Sequence, residues 1–280
     1  MTRMKKNKIF MCLSLGLAAT LTSCSFDNKF EAEELAETGQ TGKLTLNLAS
    51  GVEFATGTRA VDESTYQNTD NYTVNITDNK GNNKFSGTFA TLKTRLPLEL
   101  DLGSYNISAS YGNEYAASRD GFKVEGKNTF TIQAAKTVEC NVACAPTAGK
   151  ILVEFDPSMG TYCDLYDVDF TGTAALGTSV AHWGKDDTAP YYLAINEGGE
   201  TVNYTIHLTA KADYAGLNGE EKVTNATATG SFTLERNKAK KLTVGANYTP
   251  TTDGGLKVVV EIDESTNDKT IPIEVPVTWI

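Results

Sequence analysis

The chain reads as an all-β protein, and three features of its 280 residues say so. Apolar residues recur at every second position through most of the chain, a unit of about 105 residues occurs twice, and no long stretch places apolar residues at helical spacing. Alternation with period two sets one face of a strand on a core and the other in water, as in antiparallel sheets. A unit of roughly 100 residues is the size of a seven-stranded sandwich. The predicted fold is therefore two tandem antiparallel β-sandwiches, immunoglobulin- or transthyretin-like, with an additional C-terminal strand segment.

In chain order, residues 1–23 read as an export signal. Arg3, Lys5, Lys6 and Lys8 form a basic head, and residues 9–21 are apolar or small. That run matches a signal-peptide core and is too short to span a bilayer as a helix. It ends in Leu21-Thr22-Ser23-Cys24, which resembles a bacterial lipobox: an aliphatic residue, two small residues, then the cysteine that receives lipid. Two or three acyl chains on Cys24 anchor a protein durably, where a single chain binds only marginally. Residues 24–41 form an acidic tether with Asp27, Glu31, Glu33, Glu34 and Glu37. Ser25 in place of an Asp favours sorting to the outer membrane. The acidic run resembles the surface-export signal of Bacteroidota lipoproteins; its plainer reading is a solvated linker.

Residues 42–146 and 147–250 are the two expected sandwich domains, and residues 251–280 are expected to add strands to the second. Leu44, Leu46 and Leu48 alternate with polar residues, as do Tyr72, Val74 and Ile76, and Val202, Tyr204, Ile206 and Leu208. Turn signals such as Asp78-Asn79-Lys80-Gly81 and Leu217-Asn218-Gly219 separate the runs. The repeat is explicit. Phe130-Thr131-Ile132 with Lys136, Cys140 and Val142 matches Phe232-Thr233-Leu234 with Lys238, Leu242 and Val244 at an offset of 102. Gly42-Lys43-Leu44 matches Gly149-Lys150-Ile151, and Val153-Glu154-Phe155 matches Val260-Glu261-Ile262, both at 107. In the tail, Ile271, Ile273, Val275 and Val277 share a face, and Pro272 and Pro276 remove donors from the other, a combination suited to an edge strand.

Residues 72–76, 96–100 and 102–109 (YTVNI, LPLEL and LGSYNISA) resemble a Bacteroidales lipoprotein family of unknown function from gut species. The likeness spans about residues 42–245 and implies tandem β-sandwich domains. A looser likeness is to the fimbrillins, which are also two-sandwich lipoproteins with a strand-forming tail. Fimbrillins are cut after an arginine, which makes Arg59 a candidate for proteolytic maturation.

The chain carries a formal charge of −10, and loss of the four positive residues in the signal leaves about −14. Such a surface repels phosphate backbones and argues against nucleic acid as a partner. Cys140, Cys144 and Cys163 are an odd set. Cys140 and Cys144 lie about 13 Å apart on a regular strand, too far to bond, so they read as buried filler. His182 and His207 are the two histidines, set in different elements with no metalloprotease-type spacing. Asp164, Asp167 and Asp169 read as strand exterior. No catalytic residue, metal ligand or cofactor is assigned.

One segment breaks the alternation. Residues 181–192 mix His182, Trp183, Lys185, Tyr191 and Tyr192 in what reads as a loop. Aromatics in surface loops anchor partners or stack sugars; equally, Trp183 can fold back to cap the sandwich. Asp187-Thr188-Ala189 resembles the Bacteroidales O-glycosylation tripeptide, with Thr188 as acceptor. The sequence thus points to a non-enzymatic outer-membrane lipoprotein, held by its N-terminal lipid and facing the exterior, that acts as a structural, adhesive or binding module with an unknown protein or glycan as ligand. A fimbrial subunit or accessory protein assembling through its C-terminal strands is one alternative. A glycan-binding part of a saccharide-uptake system is another.

Overall fold

The computed structural model describes residues 40–54, 61–251, 255–263 and 272–280. Its first half contains β1 (Thr41–Ser50), β2 (Thr73–Asp78), β3 (Asn83–Thr88), α1 (Phe89–Lys93), β4 (Leu98–Asp101), β5 (Gly103–Tyr111), β6 (Ala117–Ser118), β7 (Val124–Ile132) and β8 (Thr137–Pro146). Seven of these strands follow the order β3-β2-β5-β7-β8-β1-β4. At the β7–β8 seam only Val124–Pro146 and Glu125–Ala145 pair. The layers on either side of that seam enclose one core, with Leu44, Leu46, Cys140 and Val142 from one and Val74, Ile76 and Ile107 from the other. These are the inward residues of the alternating runs.

The second half contains β9 (Ala148–Phe155), α2 (Pro157–Tyr162), β10 (Cys163–Thr171), β11 (Ala181–Gly184), β12 (Tyr191–Ala194), β13 (Glu200–Ala210), β14 (Gly216–Asn218), β15 (Glu221–Val223), β16 (Asn225–Leu234), β17 (Ala239–Tyr248), β18 (Leu256–Asp263), β19 (Ile273–Pro276) and β20 (Thr278–Trp279). Here the layers are separate sheets, β11-β10-β13-β16-β20 and β19-β18-β17-β9-β12-β6, with β14 and β15 as a small hairpin. The order β3-β2-β5-β7 with β8-β1-β4 recurs as β11-β10-β13-β16 with β17-β9-β12. The sequence repeat is therefore a repeat of topology.

Pairing is antiparallel as expected, with two exceptions. β1 runs parallel to β8, and β9 parallel to β17. Both ladders place the lysine of the Gly-Lys pair opposite the first residue of the later strand, Lys43 opposite Thr137 and Lys150 opposite Ala239. The partners are about 90 residues apart in sequence, so no hairpin turn dictates an antiparallel approach. The repeated glycine has a steric reason. A Cβ on Gly42 would meet the Gln133 carbonyl and the Ile132 side chain, and one on Gly149 would lie 2.8 Å from the Glu235 carbonyl and against Leu234.

The halves are locked together. β6 of the first half pairs with β12 at the edge of a second-half sheet. Tyr192 on β12 packs into the first core against Phe54 and Phe122. Lys150, 0% exposed, donates to the buried Glu63 carboxylate at 2.9 Å, and the Tyr192 hydroxyl donates to the same oxygen at 2.7 Å. The Asn237 side chain bridges the Gly51 carbonyl and the Glu53 N–H.

The tail serves both second-half sheets. β18 pairs along β17 and supplies Leu256, Val258 and Val260 to the second core. β19 continues that sheet, and β20 crosses to pair Trp279 with Ala226 and Thr278 with Thr227. Ala226 and Thr227 stand at the repeat positions of Val124 and Glu125. The tail thus occupies the place that β8 takes in the first half. Trp279 lies over Gly216, where any Cβ would strike its indole. Among the described residues no helix is long and apolar enough to cross a membrane.

Candidate functional site

Residues 181–192 are not one loop. Four residues form edge strand β11, two open β12, and residues 185–190 carry the chain between sheets. β11 forms because Ala181 and Trp183 alternate inward, leaving His182 outside. Trp183 is 1% exposed and belongs to the second core, and its indole Nε1 is buried with no hydrogen-bond partner. Arg119 from the first half holds the whole segment down. Its guanidinium lies 4.6 Å from the Trp183 ring centre and 3.9 Å from that of Tyr191. It donates to the carbonyls of Ala189 and His182 and pairs with Asp187 at 2.8 Å. The Tyr191 hydroxyl donates to the His182 carbonyl, and the Gly184 N–H donates to Asp187.

Of the five loop residues singled out from sequence, Trp183 and Tyr192 are therefore buried, and Tyr191 is half-covered. His182 and Lys185 are exposed, as is Thr188. Cys24 and Arg59 lie outside the described residues. Cys140, Cys144 and Cys163 are buried and free. Burial pushes the Cys144 thiol up to about 12 and that of Cys163 to about 11.

Beside the clamped segment, the sheet register assembles a group that no sequence motif announces. Asp169 on β10 stands opposite His182 on β11, and Asp167 stands opposite His207 on β13. All four project from the outer face. The Nδ1 of His182 lies 2.7 Å from one Asp169 oxygen, and the Nε2 of His207 lies 3.2 Å from the other. Both histidines of the chain thus converge on one carboxylate. Burial raises the Asp167 carboxyl above its usual range, against the opposing pull of His207 and His182. A cavity of about 220 Å³ opens beside Asp167 and His207, walled by Leu165, Thr209 and Ile280.

A family of unknown function, DUF4493, matches residues 40–277, nearly the entire described chain. The chain belongs to the DUF4493 family. This agrees with the resemblance read from residues 72–109. No curated protein matches it. Solved structures similar to this DUF4493 chain include a candidate adhesin from Bacteroides ovatus, at 10% identity and a TM-score of 0.45, covering 83% of this chain and 95% of that one. The fimbrial anchor protein Mfa2 from Porphyromonas gingivalis is similar at 10% identity and a TM-score of 0.39, covering 80% and 98%. A fimbrial assembly protein from Parabacteroides distasonis is similar at 13% and 0.37, covering 83% and 99%.

Proposed function

We propose that this DUF4493 chain is a non-enzymatic outer-membrane lipoprotein, anchored through Cys24 and displayed on the cell exterior as an adhesive, structural or binding module. The observation that carries the reading is the lipobox at residues 21–24, set directly ahead of an acidic tether and a folded body. The buried Glu63–Lys150–Tyr192 cluster and the Arg119 clamp support it, since they make that body stiff, as display of a binding surface requires. The test is partitioning and surface access. Wild-type protein is expected in the detergent phase and digestible by protease added to intact cells, and Cys24→Ala protein in the aqueous phase. Cys24→Ala protein still in the detergent phase overturns the anchor; wild-type protein that only lysed cells expose to protease overturns the exterior face.

A fimbrial reading draws on one specific feature. β19 and β20 hold by four and two register pairs, the shortest attachments of the tail, so they are the strands most easily given to a neighbouring subunit. Loss of self-assembly on their removal, with unchanged monomer stability, would favour it.

A further inference from the structure

We propose that the outer face of β10, β11 and β13 binds a divalent transition-metal ion of the zinc class through Asp167, Asp169 and His207, with His182 holding Asp169 in place from outside the ligand set. The inference stands on geometry and does not depend on the surface role proposed above.

The ligand atoms are already gathered. One carboxylate oxygen from each of Asp167 and Asp169 and a ring nitrogen of His207 lie within 4.8 Å of one another. Ligand atoms around a tetrahedral zinc, each about 2.0–2.2 Å from the metal, are somewhat closer than that, so side-chain rotation suffices. His182 positions the Asp169 carboxylate through the 2.7 Å contact of its Nδ1 with one Asp169 oxygen, as outer partners of metal ligands do. Asp169 is 28% exposed, His207 43% and His182 58%, so an ion reaches them from solvent without any opening of the fold. The neighbouring cavity leaves room for water on the metal.

The donor set selects the class of ion. Imidazole with carboxylate suits zinc, cobalt, nickel and copper, whereas calcium and magnesium prefer oxygen donors throughout. The chain's net negative charge also favours the approach of cations.

The first half supplies an internal control. Phe130 and Phe232 are repeat partners, and they pair with Tyr105 and Val202. Following the ladders outward from there matches Asp167, Asp169, His182 and His207 to Thr73, Asn75, Ser86 and Ser110. The same local geometry is present, since Ser86 Oγ donates to Asn75 Oδ1 at 2.7 Å, the distance from His182 to Asp169. The sandwich therefore folds with small neutral side chains at all four places. Exposed ion pairs add little stability, so stability does not account for two imidazoles and two carboxylates in the second half. Metal ligation does.

The test uses the untagged mature protein in detergent, stripped with chelator, titrated with Zn²⁺ by calorimetry and with Co²⁺ by visible absorption. One tight Zn²⁺ per chain is expected, together with a Co²⁺ spectrum of nitrogen–oxygen coordination. Both imidazoles should shift in nitrogen-detected NMR when Zn²⁺ is added. His207→Gln should weaken binding by at least about tenfold, and so should Asp169→Asn. Asn75→Ala with Ser86→Ala, in the first half, should leave it unchanged. Melting curves of each variant separate lost ligands from lost fold, and the wild-type NMR shifts need no variant. Binding only at millimolar Zn²⁺ overturns the proposal. So does full affinity in the folded His182→Gln/His207→Gln protein, or imidazole signals that do not move.

Discussion

The two halves share a strand order, a parallel ladder and a steric glycine, yet they finish differently. In the first, β7 meets β8 and the seam closes within the repeat. In the second, β16 and β17 each receive a strand from the tail. The reason lies in the chain that each unit leads into. β8 runs on into the second unit through β9, while β17 runs on into β18, which turns back along β17 in the same sheet. β19 then extends that sheet and β20 pairs with β16 of the other. The outer faces diverge too at four matched positions, which hold Thr73, Asn75, Ser86 and Ser110 in one half and the His–Asp group in the other. The shared skeleton tolerates both, which separates what the fold needs from what has been added to it.

The sharpest test of that comparison contrasts two lysines at one repeat position. Lys43 is exposed and Lys150 is fully buried on Glu63. Lys150→Ala should cost about 3–5 kcal/mol by stranding a buried carboxylate, and Lys43→Ala less than about 0.5 kcal/mol. Chemical denaturation measures both. Equal costs would mean that the halves are not joined through this pair.

Alkali should act next most strongly. Burial holds Cys144 and Tyr72 near 12 and Cys163 near 11, against ordinary values of 9.0 for a thiol and 10.0 for tyrosine. A folded value above the unfolded one gives stability that is whole below the unfolded value and lost as pH rises toward the folded one. Stability should therefore be flat up to about pH 8. Above pH 9 each thiol should remove about 1.4 kcal/mol per pH unit. The first core holds two of the thiols and Tyr72, so its near-ultraviolet signal should fail no later than that of the second. Unchanged denaturation midpoints from pH 8 to 11 would contradict the burial.

Gly42→Ala and Gly149→Ala should each cost about 1–3 kcal/mol by overpacking, and by similar amounts if the repeat positions are equivalent. A large difference in their melting temperatures would show that one sheet crossing yields more easily than the other.

Removing residues 272–280 should have the smallest effect, since it strips β19, β20 and Trp279 from edges. A fall of a few degrees in melting temperature is expected, at about 2–4 °C per kcal/mol for a body of this size. The loss should be confined to the second half.

Much of the fold was legible because it is written locally. Alternation in Leu44-Leu46-Leu48 or Val202-Tyr204-Ile206 places side chains without knowledge of any partner, and the 102-residue offset carries topology from one half to the other. What escaped depends on pairing between distant segments. The parallel ladders, the Glu63–Lys150 bond and the Arg119 clamp each join residues tens of positions apart or more. The His–Asp group is the clearest case. His182 and His207 are 25 residues apart and meet only because β10 lies between their strands in one particular register. A shift by one residue would send each to the opposite face. Trp183 was legible in kind, as an aromatic out of pattern, but the arginine that covers it comes from the other half.

The parallel ladders have a mechanical consequence. A pull applied ahead of residue 41 would enter β1 at Thr41, and a load borne by the second half would leave β8 at Pro146. Because the two strands run the same way, those forces slide one past the other. All eight register pairs from Lys43–Thr137 to Ser50–Cys144 then resist together, where an end-loaded hairpin would unzip pair by pair. The ladder between β9 and β17 repeats the geometry for a force leaving at Tyr248. A protein tethered in flowing liquid would have two such shear clamps in series, each set where tension first reaches a folded core.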